Sequence, residues 1–497
     1  MPARTGQQYL ERLRQFPPSL WIHGQHIVDP TAHPLTQNTA CSIAGLYDLQ
    51  HQPGLRDEMT YMSGNQRVGL SFLETHSRED LERRAKMHTH WAAFCLGFMG
   101  RTPDYLNVNL MAAARAADYF SENSRSLADV PNGVDFGENI RNYYTYVREN
   151  DLALTHALTN PQVNRSVSAL ELSDPYIALG VVEKNKEGIV VRGARMMATL
   201  PLADEILIFP STVLKEQEDL APYALAFAIP TCTPGLHFQC RESMDASGLG
   251  AWDHPLSSRF EEYDAFVVFD NVFVPWERVF LLGDVSRCNR AYSETGSVLH
   301  MAHQVICNKI VKTEALLGVA TSIVETIGSG SFQHVQNKIA QIIINLEVMK
   351  SLKLASEHHS APDRWGTWTP ARAPLDAARN LFPQLYPQMA EIVQVLASSG
   401  LVMIPTEGDF EGPMADYLDK YLQGTHRSTR DRVQLMRLAW DMTSSSFGAR
   451  QTHYERFFFG DPVRTLSALY MVYDKGPAQR RIEDFLAQTK LDPVMGG

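Results

Sequence analysis

Three short stretches of the chain gather side chains that can handle protons or charge. THALTNPQVNRS, residues 155–166, brings His156, Asn160, Gln162, Asn164 and Arg165 into one run. It is too polar for a core strand and too interrupted by Pro161 for a helix, so it reads as a loop. An imidazole there can move protons near neutral pH or sit in the core against a backbone carbonyl, and the local pattern weighs the two about equally. GRTPDYLN, residues 100–107, sets Arg101 and Tyr105 just after a helix with Pro103 shaping the loop. Arg101 has the ordinary alternative of pairing with Asp104 or a helix C-terminus. YERFFFGDPVR, residues 454–464, runs three phenylalanines into a Gly-Asp-Pro turn, which by itself reads as packing.

Several chemistries find no support. His88 and His90 in HTH fall on opposite sides of a helix and read as structural rather than as a metal pair. The six cysteines, Cys41, Cys95, Cys232, Cys240, Cys288 and Cys307, form no CxxC pair in a long chain, so reduced thiols are expected and zinc is not. Neither GxGxxG nor GxxxxGK[ST] occurs, so a nucleotide cofactor would have to bind in another way. With 45 basic and 56 acidic side chains the net charge is -11, which argues against nucleic acid or an anionic membrane as partner. No opening signal pattern and no long apolar run is found, and a soluble, cytoplasmic protein is expected.

The elements that must carry these stretches follow from periodicity. A chain of 497 residues with 44% hydrophobic content is long enough for several subdomains. Residues 1–154 read as helical: Ser77 with Asp80 forms an N-cap before the apolar run Leu81, Met87, Trp91, Phe94, and 108–121 and 137–150 repeat the pattern. Residues 155–285 change to strand-like runs, with a turn at 185–188 and two strands expected in DAFVVFDNVFVPWERVFL, broken at Asp270-Asn271. From 286 to 497 the helical period returns. Val335, Ile339, Ile342, Leu346 and Met349 share one face of a helix, and others are expected at 300–327, 386–399 and 428–448, with a loop over 360–374. Helices with broad apolar faces need neighbours, so a bundle is expected.

Taken in order, GRTPDYLN, THALTNPQVNRS, GARMMATLPLADEILIF, FDNVFVPWERVF and YERFFFGDPVR resemble the oxygenase components of two-component, FADH2-dependent 4-hydroxyphenylacetate 3-monooxygenases and phenol hydroxylases. The resemblance runs from RTGQQYLERL to YDKGPAQRRIEDFL. It implies an α+β, acyl-CoA-dehydrogenase-like fold, with a helical N-terminal domain, a central β-barrel and a C-terminal helical bundle, assembled as a homotetramer. It also implies FAD delivered reduced by a separate NAD(P)H-dependent reductase, O2 as co-substrate through a C4a-hydroperoxyflavin, and ortho-hydroxylation of a phenol. 4-Hydroxyphenylacetate is the expected substrate, with phenol, a tyrosine derivative or a chlorophenol as alternatives.

By the same resemblance, Arg101, Tyr105 and His156 would polarise the phenol. A hydrogen-bonded cation, phenol and imidazole favour phenolate, and an arginine keeps its charge at any working pH. His156, Ala157, Leu158, Gln162, Val163, Asn164, Arg165 and Thr199 would hold the flavin ring and keep water away. Phe459, Gly460, Asp461 and Pro462 would anchor the far end of the cofactor, and Ser211 and Thr212 the substrate tail. A rival within the fold is a 4-hydroxybutyryl-CoA dehydratase-like enzyme with FAD and an iron–sulfur cluster, which would need several thiolates. Cys95 lacks a CxxxC partner, so His300 and Cys307 leave that set incomplete.

Overall fold

Apolar residues at two periods build this chain into helical layers around two sheets. The computed structural model describes residues 3–164, 166–167, 172–210, 214–215, 218–244, 248, 250–458 and 460–488. Its strands are β1 (Leu20–Ile22), β2 (Gln25–Ile27), β3 (Thr60–Ser63), β4 (Gln66–Gly69), β5 (Leu154–Ala157), β6 (Gly180–Lys184), β7 (Gly188–Met197), β8 (Glu205–Ile208), β9 (Leu225–Pro230), β10 (Leu236–Cys240), β11 (Ala265–Pro275) and β12 (Val279–Leu282). Six of them form a sheet in the order β2-β1-β10-β11-β7-β6, and four form a second in the order β12-β9-β8-β5. Phe227 of β9 meets Phe269 of β11 edge to face, with centroids 6.2 Å apart, where the sheets pack.

Two strand readings change. The run around Asp270-Asn271 is one strand, β11, whose register against β7 slips between Phe269 and Val272. Asn271 takes φ 51, so the polar pair makes a β-bulge instead of a break. The first residues are also not purely helical: β1 lies parallel to β10 and β2 antiparallel to β1, which extends the central sheet with chain from far upstream. Three-residue strands carry too short an alternation to be seen as strands on their own.

The helices follow their signals more closely. Arg78–Phe94 opens on Ser77, whose side chain accepts the Asp80 N–H, and Thr429–Thr443 opens the same way on Ser428 and Asp431. Val335, Ile342, Leu346 and Met349 are buried along Gln333–His358. The helix expected from 386 runs over Arg372–Ala397, through Pro383 and Pro387. Burial of Leu375, Phe382, Tyr386, Met389 and Val393 on its inner side outweighs the local cost of two prolines. Residues 361–369 form a small hairpin before it. Ser297–Ile327 packs against the helices of both ends of the chain, and Lys309 and Lys312 on it reach one buried carboxylate, Glu455, at 2.7 and 2.6 Å. Among the described residues no helix is long and apolar enough to cross a membrane.

Gly97 ends the helix before the Arg101 loop with φ +75, and a Cβ there would lie 2.7 Å from Cβ of Lys312 and 3.0 Å from the Asn308 carbonyl oxygen. Strain and overlap act together, so Gly97→Ala is expected to lose on the order of 2–4 kcal/mol in denaturant unfolding. Unchanged stability would show that the loop is not pinned against this helix.

Candidate functional site

The Arg101 loop is held from below. Glu262, itself buried, accepts the amide of Gly100 at 2.8 Å and that of Arg101 at 3.2 Å through one carboxylate oxygen, and its other oxygen takes Arg450 at 2.8 Å. Asp104 is not the partner of Arg101. Its carboxylate is engaged by His88 at 2.7 Å, Thr102 at 2.5 Å and Gln304 at 3.2 Å. The Arg101 guanidinium donates instead to the Phe458 carbonyl at 2.7 Å and lies 4.1 Å over the Tyr105 ring and 5.4 Å from that of Tyr454. Its Nε is buried with no hydrogen-bond partner among the described residues. An unpartnered N–H on a buried cation is a place for an anionic oxygen.

His156 is not in a loop. It sits on β5, parallel to β8 and opposite Leu207, because Leu154, Thr155 and Ala157 are buried while His156 turns to a half-buried face. Its ring lies 5.8 Å from that of Tyr105 and 4.9 Å from that of Phe209, which in turn meets Tyr292 edge to face at 5.4 Å. Burial, and then the nearby charge of Arg101, lowers its pKa to about 3. The imidazole is therefore neutral at working pH and can offer one N–H and one lone pair. Burial raises the pKa of Tyr105, so it keeps its proton as a donor. The structure thus brings buried Arg101 and Tyr105 together with half-buried His156 in one cluster.

The remaining expected site residues fall in two groups. Thr199 lies buried just past the end of β7 with φ 99, followed by Leu200 at φ 55. Two consecutive left-handed residues without glycine are strained, and they are held by the Thr155 hydroxyl on the Thr199 carbonyl at 2.8 Å and by the Leu200 N–H on the Glu262 carbonyl at 2.7 Å. Ala157 is buried and Leu158 half-buried at the end of β5, whereas Gln162, Val163 and Asn164 are exposed, with Asn164 closing a turn onto Ser166 at 3.0 Å. The Gly-Asp-Pro turn is a helix start: Asp461 caps Pro462–Val472 by accepting the Arg464 N–H, and the Gly460 N–H goes to the Phe457 carbonyl. The cap thus uses the Arg464 amide, and Phe457 takes that of Gly460. Beside them lies a groove of about 750 Å³ lined by Gly460, Pro462, Arg379, Arg456 and Thr452. Arg165, Ser211, Thr212 and Phe459 lie outside the described residues.

Sequence reading missed Glu262, Phe209, Tyr292 and Arg450. Phe209 ends the quoted stretch GARMMATLPLADEILIF, but nothing local marks it as the wall behind His156. The cluster rival would draw on Cys95, His300 and Cys307. Cys95 donates to the carbonyls of Trp91 and Ala92, and His300 accepts from Arg84 at 2.7 Å. Among the described residues no group of three His, Cys, Asp or Glu side chains is placed to hold a metal ion.

Two sheets between helical layers, with Arg101, Tyr105 and His156 where the layers meet, make an α+β, acyl-CoA-dehydrogenase-like fold. The family description "4-hydroxyphenylacetate 3-hydroxylase N terminal" matches residues 5–281 and "4-hydroxyphenylacetate 3-hydroxylase C terminal" matches residues 288–487. The chain belongs to the 4-hydroxyphenylacetate 3-hydroxylase family. It is 52% identical to the 4-hydroxyphenylacetate 3-monooxygenase oxygenase component of Thermus thermophilus over 98% of each chain. A crystal structure of such an oxygenase component complexed with FAD and 4-hydroxyphenylacetate superposes with TM-score 0.93 at 52% identity, covering 98% of this chain and 99% of the other. A 4-hydroxybutyryl-CoA dehydratase from N. maritimus shares the fold, with TM-score 0.86 at 20% identity over 100% of this chain and 97% of the other.

Burial lowers the pKa of His88, His300 and His303 below the ordinary 6.5, to about 4 for His303. Below pH 6.5 the unfolded chain then binds protons that the folded chain does not, so stability falls as pH falls. The fully buried His300 contributes up to about 1.4 kcal/mol per pH unit. Urea unfolding between pH 6.5 and 5 is expected to be less pH-dependent in His300→Asn than in the parent. Equal slopes would mean that His300 charges in the folded state.

Proposed function

We propose that this chain is the oxygenase component of a two-component monooxygenase that converts 4-hydroxyphenylacetate to 3,4-dihydroxyphenylacetate, using O2 and reduced FAD supplied by a separate NAD(P)H-flavin reductase. The observation that carries the reading is the Arg101 guanidinium, stacked on Tyr105 beside neutral His156, with its buried Nε unpartnered. Such a group is suited to the oxygen of a phenol that must become electron-rich at the neighbouring carbon. Arg101 holds the developing oxyanion electrostatically. Tyr105 donates a hydrogen bond to it, and neutral His156 can donate to the same oxygen through its single N–H.

Reduced FAD, when bound, supplies the activation of dioxygen and the electrophilic oxygen atom. The residues present fit such a group. Asn160 has a buried side-chain oxygen without a partner among the described residues, and the strained Thr199 backbone holds a buried hydroxyl-bearing side chain at the end of β7. His156, Ala157, Leu158 and Thr199 would hold the flavin ring and exclude water, together with Gln162, Val163, Asn164 and Arg165. Phe459, Gly460, Asp461 and Pro462 would anchor the anionic far end, beside the groove that Arg379 and Arg456 line. Ser211 and Thr212 would meet the substrate tail. A tetramer would cover Tyr470, Met471, Val472 and Phe485, which stand more than half exposed on the last two helices, and would let one subunit complete the cofactor site of the next.

Arg101→Ala and His156→Ala are each expected to slow coupled hydroxylation of 4-hydroxyphenylacetate by roughly 10- to 100-fold with reduced FAD supplied, the loss of one hydrogen bond to a charged group. Fast, coupled turnover in either variant would overturn the phenolate assignment. For Thr199→Ala the measurement is hydrogen peroxide released per NADH oxidised, expected to rise. A panel of phenol, 4-hydroxyphenylacetate, tyrosine and chlorophenols scored by coupled product would fix the substrate.

A further inference from the structure

We propose that Arg195 is the cation that selects reduced over oxidised flavin, by pairing with the negative charge that reduced flavin spreads over N1 and the C2 carbonyl of its pyrimidine ring. The inference rests on the flavin reading above.

Arg195 lies on β7 opposite Val267, on the face turned toward the end of β5. Its Nη1 donates to the Leu158 carbonyl, and the next residue, Met196, donates its N–H to the Thr159 carbonyl at 2.7 Å. The side chain therefore reaches the end of the 156–158 segment, and its own strand runs on toward Thr199; both stretches are assigned to the flavin ring. It is fully buried, yet Nε and Nη2 have no hydrogen-bond partner and no carboxylate pairs with it among the described residues. The titratable groups that face it are Cys288 and Tyr292 from Val285–Glu294. Burial raises the pKa of both, so each is neutral. The Tyr292 hydroxyl is itself buried without a partner among the described residues.

Two other buried arginines of this chain show the contrast, whereas Arg84, equally buried, also lacks a carboxylate among the described residues and meets the Leu73 carbonyl and His300. Arg4 meets Asp204 at 2.6 Å, and Arg450 meets Glu262 at 2.8 Å and Asp264. A buried guanidinium lacking a counter-charge is strongly unfavourable, so the two free N–H groups of Arg195 are placed for an anion that arrives with a ligand. Oxidised flavin is neutral at its pyrimidine edge, whereas reduced flavin is an anion there with adjacent N and O acceptors, a match for the forked donors of a guanidinium. A protein that takes reduced flavin from another enzyme and returns it oxidised benefits from that difference in affinity.

The test is anaerobic titration of the apoprotein with oxidised and with reduced FAD, without substrate. The parent protein is expected to bind reduced FAD more tightly; equal affinities would overturn the proposal without any variant. Arg195→Met is expected to weaken reduced FAD by roughly 10- to 100-fold and leave oxidised FAD nearly unchanged, lowering the midpoint potential of bound FAD by about 30–60 mV. Arg195→Lys, which keeps the charge, is expected to recover most of the difference. Equal loss for both redox forms would make Arg195 a packing residue. Unchanged FAD binding with weaker 4-hydroxyphenylacetate but not 4-methylphenol would assign it to the substrate carboxylate instead. If the parent binds FAD in neither form, the flavin reading itself fails.

Discussion

The carboxylate of Glu262 is the point on which the three layers meet. One oxygen fixes the amides of Gly100 and Arg101, the other pairs with Arg450 of the C-terminal bundle, and its backbone carbonyl receives the N–H of Leu200. A buried carboxylate is tolerable only when fully engaged, and here its partners are what the site needs in place. The same residue thus sets the height of the Arg101 loop and supports the strained Thr199–Leu200 corner. Arg101 extends the link by donating to Phe458, immediately before the residues expected to anchor the cofactor's far end.

Around that anchor the charge balance of the site is unusual. Among the described residues neither buried Arg101 nor buried Arg195 pairs with a carboxylate: Arg101 meets the Phe458 carbonyl and the Tyr105 face, Arg195 the Leu158 carbonyl, and His156 is kept neutral. The aromatic row Tyr105, His156, Phe209 and Tyr292 lowers the local dielectric, which strengthens any charge–charge contact made within it. Such a site is poorly satisfied by itself and well satisfied by anions. A phenol on its way to phenolate and a reduced flavin are both of that kind, and the unpaired donors are already held in position before either binds.

Deeper in the bundle, polarity serves another purpose. Asp104 is engaged by His88, Thr102 and Gln304, while His300 takes Arg84 and His303 takes Glu357 at 2.8 Å. By absorbing Asp104, this network leaves Arg101 without its nearest carboxylate in sequence. The fold shared with the dehydratase does not carry a metal-binding set at these positions among the described residues. Kinship of fold here says nothing of the chemistry, which is decided by which side chains the helices present.

By itself the sequence determined what depends on neighbours a few residues apart. The caps at Ser77 and Ser428, the apolar face of Gln333–His358 and the turn before β7 follow from local hydrogen bonding and from period. The ordered motifs marked Arg101, Tyr105 and His156 as a set, though not how they would meet. Short β1 and β2, the bulge at Asn271 and the proline-bearing helix Arg372–Ala397 escaped because packing outweighs local propensity there. Only the tertiary structure decided the partners of the buried charges. Glu262 lies 162 residues from the Gly100 amide and Phe458 lies 357 from Arg101. No local pattern encodes which distant carboxylate or carbonyl will satisfy a buried charge, because that choice is made by burial and by what the folded layers bring within hydrogen-bond reach.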